Sequence, residues 1–235
     1  MLVSRSHRFM FLAGTKSAST TVEFALRRHC QVALLRPEHG KHISYPEAIR
    51  LIGPLLGRAR TQPADLFRFG VIRDPIDWVV SWYNYRSRES LQAAGESGNS
   101  CAGVEFSQFA EAVMQHAARP GYAKLGTQSK RFHGTDGAVA VDYLIPLPRL
   151  QADLIIIAEA LAIKGTIDIG QKSLNVSPAI FSASDIPAVL AARLRAHLVR
   201  DVALYERALQ ATAEELLRLL GEKTVRMTRP RSPSA

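Results

Sequence analysis

Twice in the first half of this chain a short apolar run passes through a polar turn directly into a helical segment, and this repetition constrains the fold more than any other feature. RFMFLA ends at Gly14, and SASTTVEFALRRHC follows with Val22, Ala25 and Leu26 as an apolar face. Ser17 or Ser19 is placed to cap that helix, and Glu23 lies in its early turns, where negative charge is favoured. DLFRFGVI ends at Arg73. Asp74 then reads as a cap, Pro75 as the first helical residue, and IDWVVSWYNYRSRE as the helix. Strands alternating with helices predict an α/β fold: a single domain over 1–222, with a central parallel sheet flanked by helices.

The rest of the chain fits that frame. QVALL reads as a short strand leading into the polar loop RPEHGKHIS, and YPEAIRLIGPLLGRA as a helix interrupted at Gly53-Pro54. LQAAGESGNSCAGV has the composition of a mobile surface loop. FSQFAEAVMQHAA is helical, AKLGTQSKRFHG holds a further short helix, and AVDYLIP is a strand. LPRLQADLIIIAEALAIK is ambiguous, its LIII suiting a strand and its leucine and alanine content a helix. The stretch from Asp185 to Gly221 reads as two consecutive helices, and 223–235 as a basic, disordered tail.

The chain has 235 residues, 47% of them hydrophobic, enough for one full-sized core. No run approaches the length of a membrane span, and HRFMFLAG is too short and too polar at its flanks for a secretory segment. Cys30 and Cys101 are the only cysteines, which leaves no disulfide framework and no cysteine-rich zinc pattern. The expectation is a cytoplasmic protein without a metal. Its formal charge of +9 favours anionic partners.

AGTKSASTT, the first turn, has the makings of an anion site. A turn that enters a helix presents backbone N–H groups, and the helix dipole adds to them. Gly14 permits a tight bend, the hydroxyls of Ser17, Ser19, Thr20 and Thr21 add donors, and Lys16 adds a mobile charge. The spacing is not that of the nucleotide-binding G-x-x-x-x-G-K-[ST] loop, because no glycine precedes the lysine directly. At the second turn, Arg73 and Ser81 could form another clamp, with Trp78, Trp82 and Tyr85 near the same helix face as Ser81. Each turn alone has an ordinary structural explanation: a capped helix with a chance lysine, or an arginine paired with Asp74 or Asp77.

Together the two turns resemble the 3′-phosphoadenosine 5′-phosphosulfate (PAPS)-dependent sulfotransferases, which share a P-loop NTPase-like fold. TKSASTT resembles the 5′-phosphosulfate loop of that family, Lys16 matching its lysine and Thr20-Thr21 its hydroxyl pair. IRDPIDWVVS resembles its 3′-phosphate motif, with arginine and serine eight positions apart, as Arg73 and Ser81 are. Arg86 sits where many members carry another basic residue. At lower specificity GTQSKRF, the segment of Leu150 and Asp153, and VRDVALYERAL with Asp201 and Tyr205 resemble the carbohydrate branch. KSLNVSP adds Asn175 and Ser177 near the cofactor.

The resemblance implies in-line transfer of a sulfuryl group from PAPS to an acceptor hydroxyl, leaving PAP. Lys16 would be catalytic, residues 16–21 would hold the 5′ end of the cofactor, and Arg73, Ser81, Asn175 and Ser177 would hold the remainder. No metal is required. The base would come from PEHGKHIS, with His42 preferred, then Glu38, then His39. The acceptor would be a small molecule or a glycan, a carbohydrate or glycolipid above all, and not a nucleic acid. Oligomeric state is unreadable. Two rivals stay open: a P-loop-like nucleotide kinase and a non-catalytic binder of anionic polymers.

Overall fold

The computed structural model describes residues 1–58, 61–88, 97–115, 117–165 and 180–225. The strands among them are β1 (Leu2–Ser4), β2 (Phe9–Leu12), β3 (Val32–Ala33), β4 (Phe67–Ile72) and β5 (Tyr143–Pro146). They form one five-stranded sheet in the order β3-β1-β2-β4-β5. β2, β4 and β5 are parallel, as expected, but β1 is antiparallel to both β2 and β3, so the sheet is mixed rather than parallel. The cause is the short turn between β1 and β2, which can join only antiparallel neighbours. The three residues LVS are too few to show a period in the sequence.

The helices among the described residues are α1 (Ser19–Leu26), α2 (Tyr45–Arg58), α3 (Pro75–Arg86), α4 (Phe106–Met114), α5 (Ser129–Phe132), α6 (Leu150–Ala160), α7 (Ala188–His197), α8 (Val199–Gln210) and α9 (Ala213–Val225). α2 runs unbroken through Gly53-Pro54, contrary to the expected interruption. Ala48, Ile52 and Leu56 stay buried on one face across the proline, and that continuous packing holds the helix together. The ambiguous run is helical from Leu150, with Leu150, Leu154, Ile157 and Ala158 buried at helical spacing. The C-terminal stretch holds three helices rather than two. The Thr212 hydroxyl accepts from the Glu215 N–H at 3.1 Å and restarts the chain as α9.

The chain divides into two compact units. The first comprises the described residues of Met1–Ile72, Lys130–Leu174 and Arg207–Ala235, and contains the sheet. Alternation along β4 sends Phe67, Phe69 and Val71 to one face, where they meet Phe9, Phe11 and Ile145. Val22 and Leu26 of α1, Leu154 and Ile157 of α6, and Leu216 and Leu220 of α9 close that core. On the opposite face Arg68 makes a two-pronged bond to Asp142 (2.7 and 3.0 Å) and reaches the Tyr45 hydroxyl of α2 at 3.1 Å. Gly70 lies under the ring of Phe132. A Cβ there would stand 2.3 Å from the ring, so only glycine fits.

The second unit comprises the described residues of Arg73–Ser129 and Asn175–Glu206. Its core joins Ile76, Trp78, Val79 and Tyr83 of α3 to Phe106 and Phe109 of α4 and to Leu190 and Leu194 of α7. Phe106 stacks on Phe181 with ring centroids 4.2 Å apart. The Asn84 amide bonds the backbone of Phe181 in both directions, at 3.0 and 3.1 Å. No helix among the described residues is long and apolar enough to cross a membrane.

Candidate functional site

In the first unit, residues 13–18 join β2 to α1. Gly14 is required by proximity rather than by backbone angle, since a Cβ there would press on the Val71 carbonyl at 3.1 Å and on Ser17 at 3.3 Å. Lys16 and Ala18 both take left-handed backbone conformations, with φ of 57° and 51°. Each costs a non-glycine residue about 1–2 kcal/mol. Two such residues bracketing Ser17 curl the main chain ahead of the helix. The N-cap is Ala18, and no side chain caps α1, contrary to the expected role of Ser17 or Ser19. The Ser17 hydroxyl instead donates to the Thr15 carbonyl at 3.1 Å. The N–H groups of Thr21 and Val22 bond back to the Ala18 carbonyl, and the helix dipole leaves partial positive charge at this end of α1.

Two side chains from other parts of this unit, His42 and Lys41, bear on the loop and on the first turns of α1, and a third, Arg131, bears on the main chain of His42. His42 Nδ1 lies 3.0 Å from the Ala13 carbonyl. A carbonyl can only accept, so Nδ1 carries the proton and Nε2 the lone pair. Burial lowers the His42 pKa to about 4, against the bond to Ala13 that favours the charged ring, and Arg131 and Lys41 lower it further. The imidazole is therefore neutral at pH 7. Lys41 Nζ forms an ion pair with buried Glu23 at 2.7 Å and donates to the Thr20 hydroxyl at 3.3 Å. Thr20 is thereby an acceptor toward Lys41, which frees its own proton to donate elsewhere. Glu23 thus serves a buried ion pair rather than the helix dipole. Arg131 donates to the carbonyls of His42 and Ile43.

In the second unit, Arg73 is the first residue past β4. The Asp74 side chain accepts from the N–H groups of Ile76 (2.8 Å) and Asp77 (3.1 Å), and Pro75 opens α3, as expected from the sequence. Asp74 also faces Arg195 at 3.7 Å. Arg73 itself makes no ion pair with a described residue, so the structural explanation by pairing with Asp74 or Asp77 does not hold. Its Nε is sealed from solvent without an acceptor among the described residues. Burial lowers its pKa, and the more distant charges of Asp77 and Asp74 only partly offset that.

The Arg73 main chain is held firmly. Its N–H donates to Gln128 Oε1 at 3.0 Å, and Gln128 Nε2 donates to its carbonyl at 2.8 Å. The carboxylate of Asp201, 1% exposed, in turn accepts from the N–H groups of Gln128 and Ser129, both at 2.8 Å. Ser81, two turns along α3, is half-buried. Trp82 stacks edge-on between Trp78 (6.1 Å) and Tyr85 (5.8 Å). Arg86 is buried over the Trp82 ring and donates to the Asn99 carbonyl at 3.1 Å.

Of the three residues expected to supply a base, only His42 touches the loop. Glu38 and His39 lie on a short 3₁₀ turn, and Glu38 faces solvent opposite Arg36 at 4.0 Å. Asn175 and Ser177 lie outside the described residues. Lys41, Arg131, Gln128 and Asp201 bear on these sites without having been chosen as site residues. The only sequence signal for Gln128 and Asp201 was a family-like segment around each. Nothing in the sequence around Lys41 and Arg131 sets them apart from surface charges. Comparisons with family models, curated proteins and solved structures found no match.

Proposed function

We propose that this protein is a sulfotransferase that moves a sulfuryl group from PAPS to an acceptor hydroxyl. The observation that carries the reading is Arg73: a part-buried guanidinium without an ion pair among the described residues, its main chain gripped by Gln128. A fold bears the desolvation of such a cation when an anion completes it. In this reading Arg73 and Ser81 hold the 3′-phosphate. The curled loop around Lys16 and the uncapped N-terminus of α1 hold the 5′ end, with Thr20 donating its free proton. β2 and β4 are neighbouring parallel strands, so the loop and the chain leaving β4 start from the same edge of the sheet.

PAPS supplies an activated sulfuryl group. Lys16 would supply the positive charge that steadies the leaving group of the bound donor. His42 Nε2, neutral and proton-free, accepts the proton of the acceptor hydroxyl. Asn175 and Ser177 remain assigned to the cofactor by family likeness alone.

The test is a calorimetric titration with PAP, ATP and AMP in the absence of metal. PAP binds selectively and raises Tm by mass action. Equal binding of ATP and PAP, or binding that requires magnesium, would transfer the site to a nucleotide kinase. Lys16→Ala lowers turnover more than PAP affinity, and equal losses would remove its catalytic role.

A further inference from the structure

Buried carboxylates in this chain are satisfied in two ways. Glu23 and Asp153 are answered by cations, Lys41 at 2.7 Å and Arg149 at 3.4 Å. Asp201, 1% exposed, is answered by main chain instead. Its Oδ2 accepts from the Gln128 N–H and its Oδ1 from the Ser129 N–H, each at 2.8 Å. Desolvating a carboxylate is costly, and bonds from peptide N–H groups to a charged acceptor are the strong kind that offset the cost. One planar group thus receives two consecutive N–H groups, one on each oxygen, and removes the main-chain freedom of Gln128. Asparagine at this position would have one acceptor oxygen in place of two.

Gln128 carries that rigidity to the end of β4. The strand stops at Ile72, and the Gln128 side chain then takes the place of a neighbouring strand for Arg73. Its Oε1 accepts from the Arg73 N–H at 3.0 Å, and its Nε2 donates to the Arg73 carbonyl at 2.8 Å. Two residues of an antiparallel pair exchange the same two bonds. The Arg73 main chain is therefore held as though the sheet continued one residue further, and Asp201 sets it at one remove. We infer that Asp201 is a positioning residue for the 3′-phosphate: buried itself, it aims Arg73 through Gln128. The inference rests on the sulfotransferase reading, in which Arg73 meets that phosphate. Its effect falls on one end of the donor, because the 5′ end is assigned to the Lys16 loop.

The experiment compares PAP with AMP, which lacks the 3′-phosphate, by calorimetry on the wild type, Asp201→Asn, Gln128→Met and the double variant, with Tm recorded for each. The wild type prefers PAP about 100-fold, as expected for a charge-assisted grip on the extra phosphate. Asp201→Asn lowers that preference about tenfold and leaves AMP affinity as it was, and Gln128→Met does the same. The double variant loses no more than the larger single loss, because the two residues are links of one chain. A preference unchanged in Asp201→Asn overturns the inference. So do equal losses for PAP and AMP, which mark a merely structural role, and additive losses in the double variant. A second measurement needs no variant. PAP slows amide exchange at Arg73, Gln128 and Ser129 of the wild type, since a relay that aids binding is tightened by binding in turn; unchanged exchange at all three overturns the inference. A wild type without preference for PAP removes the sulfotransferase reading. Exchange at the Arg73 amide then decides the relay alone: faster in Asp201→Asn than in the wild type if Asp201 positions it, and unchanged if it does not.

Discussion

The two strand-to-helix junctions begin with the same architecture and treat their helix ends in opposite ways. At β4–α3 the Asp74 carboxylate occupies the first N–H groups of the helix, so in the proposed reading anion recognition falls to the side chains of Arg73 and Ser81. At β2–α1 no side chain caps the helix, and the main chain curls through two left-handed residues, leaving the backbone itself as the donor surface. Charge follows the same division. Lys41 beside the first junction is neutralised by Glu23, whereas Arg73 at the second is not neutralised by any described residue. One site is a shaped backbone and the other a positioned charge. Mutations should affect stability and binding differently at each.

The sharpest test of that contrast is Arg73→Ala. It lowers PAP affinity about 100-fold or more by removing charge-assisted bonds. It leaves Tm unchanged or raises it, because a desolvated cation without a counterion destabilises the fold. A clear fall in Tm would mean that the guanidinium is structural. Gln128→Met comes next. Ungripping the Arg73 main chain lowers stability by about 1–3 kcal/mol and PAP affinity by about tenfold, read by denaturant unfolding and calorimetry. Unchanged affinity would show that the clamp does not position the charge.

At the first junction the effects are smaller. If His42 is the base, kcat/KM requires it neutral, so activity persists as pH falls and drops only near pH 4 to 5. A drop centred at 6.5 would put an ordinary imidazole in its place. The same shift makes the fold less stable in acid. The unfolded chain takes up a proton below about 6.5 that the folded ring refuses until about 4, so stability falls across that window. The smallest effect is expected at Ala18, whose φ of 51° suits glycine. Ala18→Gly stabilises by up to about 1 kcal/mol, and Ala18→Val destabilises by about 1–2 kcal/mol. Thermal unfolding with opposite signs for the two variants would confirm that strain, rather than side-chain contact, governs this position.

The sequence was most legible where a single physical rule acts locally. Asp74 and Pro75 announced the start of α3, and the alternation in FRFGVI announced β4. Legibility failed where tertiary packing decided the outcome. LVS pairs antiparallel because a short turn forces it, and α2 continues past Pro54 because Ala48, Ile52 and Leu56 share one buried stripe. Residues around the candidate site divide the same way. Lys16, Arg73 and Ser81 follow strands and could be picked out. Gln128 and Asp201 reach Arg73 only through contacts spanning 55 and 73 positions of sequence. Lys41 and Arg131 looked like surface charges because nothing in their neighbours reveals burial.

The carboxylate that steadies Gln128 lies on α8, late in the chain, and Leu216 and Leu220 from α9 seal the core under the sheet. Synthesis proceeds from the N-terminus, so a nascent chain displays AGTKSASTT and Arg73 long before either unit can be finished. Under the proposed reading, donor capture must therefore wait for nearly the whole polypeptide to emerge, and a truncation just short of Asp201 is expected to keep both segments and lose PAP binding.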